Sequence, residues 1–96
     1  MFVISVNYTS SLDQIDLFLK EHIGFLKKQY KKKLFIASGR KIPRTGGVIL
    51  ARVKNRKELD AIIQKDPFFI HGLAEYEVTE FLPSMTLPEF AALKGS

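Results

Sequence analysis

Cysteine is absent from this 96-residue chain, and only two histidines, His22 and His71, are present. The lack of cysteine excludes disulfides and thiolate metal sites and leaves the redox compartment undetermined. Two histidines that are distant in sequence do not make a recognisable metal site, so we expect no metal and no other cofactor. Any argument for an enzyme therefore depends on the few remaining side chains that can exchange a proton near neutral pH.

Long apolar runs are also absent, because no window approaches the roughly 20 apolar residues that a membrane-spanning helix needs. Residues 1–6 have no basic segment before their apolar run and no small-residue cleavage site, so they predict a strand and not a signal peptide. A phosphate-cradling loop is missing as well, because Gly46 and Gly47 precede a predicted strand and not a helix. We expect no membrane contact, and a cytoplasmic location is the default.

The net charge of +5 is unevenly distributed along the chain. All 15 lysines and arginines except Lys65 and Lys94 lie within residues 20–57, where Glu21 is the only acidic residue. The lysines of residues 27–33 crowd the end of a predicted helix, where cations offset the negative end of the helix dipole. A solvated helix end explains this charge better than a nucleic-acid surface does, so we expect no nucleic-acid partner.

The periodicity of the apolar residues predicts an alternation of strands and helices. It has period two in residues 2–8 and helical spacing through residues 12–32. Further strands are predicted over residues 34–38, 48–53 and 75–82, and Asn55 is expected to cap a second helix that ends near residue 65. A helical turn is predicted over residues 66–72, and a short helix near residues 88–93.

The order strand, helix, strand, strand, helix, strand is typical of the ferredoxin-like α+β fold, βαββαβ, with a four-stranded antiparallel sheet. Its helices cover one face of the sheet. The other face would carry Val48 and Leu50 with their cross-strand neighbours, which is too much apolar surface to leave in water. A homodimer, in which two sheets face each other as a dimeric α/β barrel, is the simplest way to cover it.

His22 and Asp66 are the residues most suited to chemistry. His22 lies on the apolar face of the first helix, three residues after Leu19 and four before Leu26. Asp66 precedes Pro67, a pair that suits the cap and first position of a helix, but its second oxygen could also orient an imidazole. Such a pair commonly moves protons near neutral pH. The alternative for His22 is a residue at the edge of the core.

Three short motifs follow one another in a characteristic order: FIASG at residues 35–39, PRTGGVILA at residues 43–51 and KDPF at residues 65–68. With the helix that carries His22 and the strand that ends at Phe81, they resemble the YciI-like (YCII-related) proteins, which are small dimeric α+β barrels. The resemblance covers residues 1–82. We interpret these residues as one domain and residues 83–96 as a C-terminal extension.

The resemblance implies a site built around His22 and Asp66, with Ser38 and Gly39 nearby. A few relatives are dehydrochlorinases in the breakdown of chlorinated aromatic compounds, and the wider superfamily includes muconolactone isomerase and small monooxygenases. One difference is visible, since the family often has proline directly after Ser-Gly, where this chain has Arg40. Arg40, or Arg44 in the predicted loop, could bind a carboxylate of the substrate; the alternative for both is a solvated loop charge.

Three function classes are considered at the level of sequence. The first is an enzyme of the proton-transfer type, a lyase or isomerase, that acts on a small anionic metabolite through His22 and Asp66. A dehydrochlorinase-like reaction is one form that this enzyme could take. The second is a non-catalytic dimeric module that binds a ligand or assists a partner, in which the same two residues only fix a helix against a turn. A nucleic-acid-binding protein is a third and less favoured class.

Overall fold

The computed structural model describes all 96 residues of the chain. In chain order its elements are β1 (Phe2–Tyr8), α1 (Leu12–Leu17), α2 (Leu19–Lys31), β2 (Phe35–Arg40), β3 (Gly46–Ala51), α3 (Arg56–Ile63), α4 (Pro67–Ile70) and β4 (Ala74–Glu80). A 3₁₀ helix follows over Pro88–Leu93. None of the helices is both long enough and apolar enough to span a membrane.

The four strands form one antiparallel sheet in the order β2-β3-β1-β4. β1 lies in the interior, where Ile4 is opposite Ile49 of β3 on one side and Val78 of β4 on the other. Each half of the chain leaves the sheet through helical segments before it returns, which is the connection expected of a split βαβ unit. The predicted ferredoxin-like α+β fold is therefore confirmed.

One face of the sheet is buried beneath the helices. Phe2, Ile4 and Val6 alternate along β1 and are at most 3% exposed, and they belong to one core cluster with Phe25 of α2 and Leu59 of α3. Burial of each such side chain contributes about 1.5–3 kcal/mol to stability. This core holds α2 and α3 against the sheet.

A second, smaller cluster lies at the end of the sheet where β1 finishes. It consists of Ile15 from α1, Phe68 from α4 and Leu73, which directly precedes β4, all nearly or fully buried. Leu73 also accepts a backbone hydrogen bond from Thr9 at 2.9 Å. The cluster fixes the short helix α4, and with it Asp66, beside the first helical segment.

The prediction of one continuous helix over residues 12–32 is wrong. The chain leaves helical geometry at Phe18, where φ is −112° and ψ is 7°, so that α1 ends before α2 begins. The Phe18 ring stacks on the imidazole of His71, with centroids 3.9 Å apart and an angle of 24° between the planes. Apolar spacing runs through the break, so the periodicity of the sequence does not reveal it.

Gly46 and Gly47, which come before the strand predicted over residues 48–53, belong to β3 themselves, and neither has a positive φ. Gly46 is required because a Cβ atom there would lie 1.8 Å from the carbonyl oxygen of Val6. Close approach of two strands, and not an unusual torsion, excludes any side chain at this position.

The face of the sheet that points away from the helices remains partly accessible to solvent. Its apolar members include Val3 and Leu50, which lie opposite each other, and Val48, which is 38% exposed. Towards one end the face becomes polar, since the Lys41 ammonium donates to Ser5 Oγ at 2.8 Å and to Asn7 Oδ1 at 2.7 Å.

Candidate functional site

His22 and Asp66 lie in direct contact. Nδ1 of His22 is 2.7 Å from Oδ1 of Asp66, although the two residues are 44 positions apart in the sequence. α2 supplies the imidazole from the side that faces the core, and the turn before α4 supplies the carboxylate. The contact thus joins two elements whose positions are set by separate parts of the core.

Asp66 is fully buried, at 0% exposure, and both of its carboxylate oxygens accept hydrogen bonds. Oδ1 accepts from His22 Nδ1 and also from the backbone N–H of Phe68 at 3.1 Å, which is the N-cap bond of α4. Oδ2 accepts from the hydroxyl of Tyr76 at 2.6 Å. The carboxylate therefore caps α4 and contacts His22 at the same time, and its charge is compensated by donors from three directions.

The His22 ring is held in one orientation. It stacks on Phe68 with centroids 4.0 Å apart and only 9° between the planes, while its side chain keeps 13% exposure. Because Nδ1 faces a carboxylate, the neutral imidazole carries its proton there and presents the lone pair of Nε2. Nε2 makes no hydrogen bond within the protein and is available to a ligand.

Tyr76 is a member of this site that the sequence did not reveal. Its place in β4, on the same face as Val78, was predictable from the alternation, but nothing in the sequence connects its hydroxyl with Asp66. Burial raises the pKa of Tyr76 well above its usual value of 10.0, and the nearby Asp66 carboxylate raises it further. The phenol therefore stays protonated and acts as a hydrogen-bond donor.

A cavity of about 210 Å³ opens beside the His22 ring. All four of the predicted ligand-binding residues, Ser38, Gly39, Arg40 and Arg44, line it. The other lining residues come from β1, α2, β3 and α4: Val6, Tyr8, Leu19, His22, Leu26, Gly47, Val48, Ile49 and Phe68. Apolar walls with a few polar groups and one imidazole are typical of a small-molecule site.

Ser38 and Gly39 contribute in different ways. The Ser38 hydroxyl lies 2.6 Å from the hydroxyl of Tyr30, a residue of α2, and no base adjoins it. A hydroxyl that is already paired in this way is suited to hydrogen bonding and not to nucleophilic attack. A Cβ atom at Gly39 would meet no other atom within 4 Å, so the glycine leaves open space there.

The two arginines of the cavity differ in their partners. Arg44 Nη2 lies 2.5 Å from Oδ1 of Asp16, a residue of α1 that is half-exposed. The hydrogen bond from Arg44 lowers the pKa of Asp16 and in turn raises the pKa of the Arg44 guanidinium. Arg40, at the end of β2, forms no ion pair with any residue of the chain. Of the two guanidinium groups, Arg40 is thus the one with an unpaired charge.

Comparison with known protein families identifies the family of this chain. The YCII-related domain matches residues 1–82, and the chain belongs to this family. No curated protein matches the chain.

The fold is similar to that of a solved structure, 5-chloro-2-hydroxyhydroquinone dehydrochlorinase from Burkholderia phenoliruptrix in complex with 2,5-dihydroxybenzoquinone. The two chains superpose with a TM-score of 0.72, covering 83% of this chain and 91% of the other, at 18% sequence identity. At that identity the likeness establishes the shared fold and does not assign a reaction.

Proposed function

We propose that this protein is a small-molecule enzyme of the proton-transfer type, a lyase or isomerase that acts on a small anionic and cyclic metabolite. In this proposal His22 is the general acid and base, and Asp66 orients its ring. The observation that carries the proposal is the 2.7 Å contact between His22 and a fully buried carboxylate, at the wall of a cavity.

The chemistry follows from the orientation of the imidazole. With Nδ1 bound to Asp66, the free Nε2 can take a proton from a ligand, and the carboxylate stabilises the imidazolium that forms. The stack on Phe68 keeps the ring from rotating while this occurs. A well-placed acid–base group of this kind typically contributes about 10²- to 10⁴-fold in rate.

Charge and shape support an anionic cyclic substrate. A cavity of about 210 Å³ with apolar walls has room for roughly one ring, and the guanidinium of Arg40 is free to pair with a carboxylate or an ionised hydroxyl. We propose a dehydrochlorinase-like elimination as one form of the reaction. It draws support from the similar structure, whose name describes a dehydrochlorinase and whose ligand is a dihydroxylated quinone.

We also propose that the protein is a homodimer whose two open sheet faces pack against each other. The half-exposed apolar residues of that face, Val3, Val48 and Leu50, supply the surface to be buried. A two-fold arrangement brings the same patch of each copy together. Analytical ultracentrifugation at micromolar concentration is expected to give twice the chain mass of 10.9 kDa, and a single species at the chain mass would overturn this proposal.

The alternative is a non-catalytic dimeric module, and one observation favours it specifically. Asp66 caps α4 and His22 stacks on Phe68, so the pair also attaches α2 to α4. If attachment is its purpose, His22→Ala lowers the melting temperature and changes no turnover, because none exists.

The deciding experiment compares His22→Ala with His71→Ala on a panel of monocyclic carboxylates and chlorinated hydroxybenzenes, with chloride release and ultraviolet absorbance as readouts. We expect the wild-type protein and His71→Ala to turn over the same substrate, and His22→Ala to lose about 10²- to 10⁴-fold in kcat. The melting temperature of His22→Ala is expected to fall under either function, because Asp66 loses a donor and Phe68 loses its stacking partner, so turnover is the readout that decides. Full activity of His22→Ala on an identified substrate would refute the assignment.

A further inference from the structure

We propose that Tyr76 is a positioning residue, whose hydroxyl holds the far oxygen of Asp66 and thereby sets how strongly the His22–Asp66 pair retains its proton. The inference rests on the proposed function, in which His22 carries the proton. It adds a third member to the site, one that contacts neither the cavity nor a ligand within it.

The hydrogen bond from Tyr76 has no substitute within the protein. Its hydroxyl lies 2.6 Å from Oδ2 of Asp66, while both other donors, His22 Nδ1 and the Phe68 N–H, are bound to Oδ1. Because Asp66 is 0% exposed, bulk water does not reach the carboxylate. Without the hydroxyl, Oδ2 would be a buried acceptor with no partner, a situation that folded proteins avoid.

The backbone and the ring of Tyr76 are both held in place. In β4 it pairs directly with Val6 of the interior strand β1, and its ring makes an edge contact with Phe69 at a centroid distance of 5.9 Å. Tyr76 does not line the cavity beside His22; it lines a separate hollow against α3, with Arg56 and Asp60 at its rim. It therefore acts through Asp66 and is not a catalytic residue.

The physical effect has a definite sign. A donor on Oδ2 draws negative charge towards itself and away from Oδ1, the oxygen that faces the imidazole. When the donor is removed, more of the charge stays on Oδ1, and the attraction for a protonated His22 increases as long as Asp66 remains ionised. The Tyr76 hydroxyl thus reduces the attraction of Asp66 for the protonated His22 ring, which favours transfer of the proton from His22 to a substrate.

Few other charged or titratable groups face the pair. Tyr8 of β1 lies at the same cavity and also raises the pKa of Tyr76. Arg40 and Arg44 contribute positive charge from β2 and the following loop. His71, at the end of α4, is engaged with Phe18. All of these groups remain unchanged in a Tyr76 variant, so a difference between that variant and the wild type isolates the hydroxyl.

The test is a titration of the imidazole resonances of the intact 96-residue protein by NMR, which requires no substrate. Tyr76→Phe removes only the hydroxyl, and Tyr30→Phe is the matched control, because its hydroxyl contacts Ser38 and not Asp66. We expect the titration midpoint of His22 to rise by about 0.5–1 pH unit in Tyr76→Phe, a fraction of what a hydrogen bond to a charged group can supply. His71 serves as an internal reference whose midpoint is expected to stay the same.

A second variant covers the case in which Tyr76→Phe fails to fold. Site-specific replacement of Tyr76 by 3,5-difluorotyrosine keeps the shape and makes the hydroxyl a stronger donor, so the His22 midpoint is expected to fall. An unchanged or oppositely shifted midpoint in a folded variant, or an equal shift in Tyr30→Phe, would overturn the proposal. These outcomes are separate from the turnover of His22→Ala: a shifted midpoint together with an active His22→Ala would reject the enzyme assignment and keep the role of Tyr76.

Discussion

Two aspartates of this molecule, Asp66 and Asp16, each contact a basic side chain at the edge of the same cavity, yet their environments are opposite. Asp66 is 0% exposed and accepts from an imidazole, a backbone N–H and a phenol. The Asp16 side chain is 50% exposed and has one guanidinium partner, Arg44. In one case the protein replaces every contact that water would have made, and in the other water remains the main partner.

The energy of an ion pair depends on what its two groups contact once the pair is broken. A buried carboxylate that loses a partner cannot recover the contact from solvent, so each of its donors is needed. An exposed pair exchanges protein contacts for water contacts at little cost, and salt screens what remains. Asp66 therefore both holds α4 in place and contacts His22, whereas Asp16 only offsets the charge of Arg44 at the rim of the cavity.

The largest contrast is expected in stability. Asp66→Ala removes the cap of α4 and leaves the donors of His22 and Tyr76 without an acceptor, so the free energy of unfolding should fall by about 2–4 kcal/mol. Asp16→Ala should be close to the wild type. Urea unfolding with a common m-value would measure both. Equal midpoints for the two variants would contradict the contrast between the aspartates.

A smaller effect is expected at alkaline pH. The pKa of Tyr76 is raised in the folded state, so the stability linked to this group is fully present below the unfolded value of 10.0 and is lost as the pH rises above it. The free energy of unfolding should then fall with a slope of at most about 1.4 kcal/mol per pH unit from this residue. Tyr76→Phe should show a flatter alkaline limb in urea unfolding at pH 9, 10 and 11. A limb of unchanged slope would show that the phenol titrates alike in both states.

The smallest effect is expected from Asp16. Arg44 lowers the pKa of this carboxyl, so its contribution to stability is present above the unfolded value of 3.8 and is lost as the pH falls through the lower folded value. At neutral pH, Asp16→Asn should free the charge of Arg44 and tighten binding of benzoate, used as a simple anionic ring, by less than about fivefold at low salt. Calorimetry with Arg44→Gln as the paired variant would measure this change, and weaker binding by Asp16→Asn would contradict it.

The fold was predictable from the sequence because it depends on local patterns. The alternation in β1 and the helical spacing around Phe25 determine which faces are buried, and the order of the elements leaves few ways to connect them. The break at Phe18 was not predictable, because the apolar spacing continues through it. At that position the Phe18 ring stacks on His71, 53 positions along the chain, a contact that local spacing does not report.

The candidate site was predictable to a similar extent. His22 and Asp66 are distinctive in their local sequence, one as a histidine on an apolar helix face and the other as an acid before proline, and the family resemblance joined them. Their catalytic role stays a prediction, as do the roles of the residues that line the cavity. Tyr76 carries no comparable signal. A tyrosine that shares a strand face with Val78 is expected to pack against the core, and the sequence does not show which group its hydroxyl contacts.

Periodicity and residue type act over a few neighbouring positions, and they were enough to predict the strands, the helical regions, the buried face of the sheet and the two residues with proton chemistry. Which groups surround Asp66, and which arginine is already paired, depends on contacts between distant segments of the folded chain. The contacts Tyr76–Asp66, Arg44–Asp16 and His22–Asp66 join residues that are 10, 28 and 44 positions apart. A hydrogen bond requires its donor and acceptor to be placed to within a few tenths of an ångström, and no local sequence pattern encodes a position that exact.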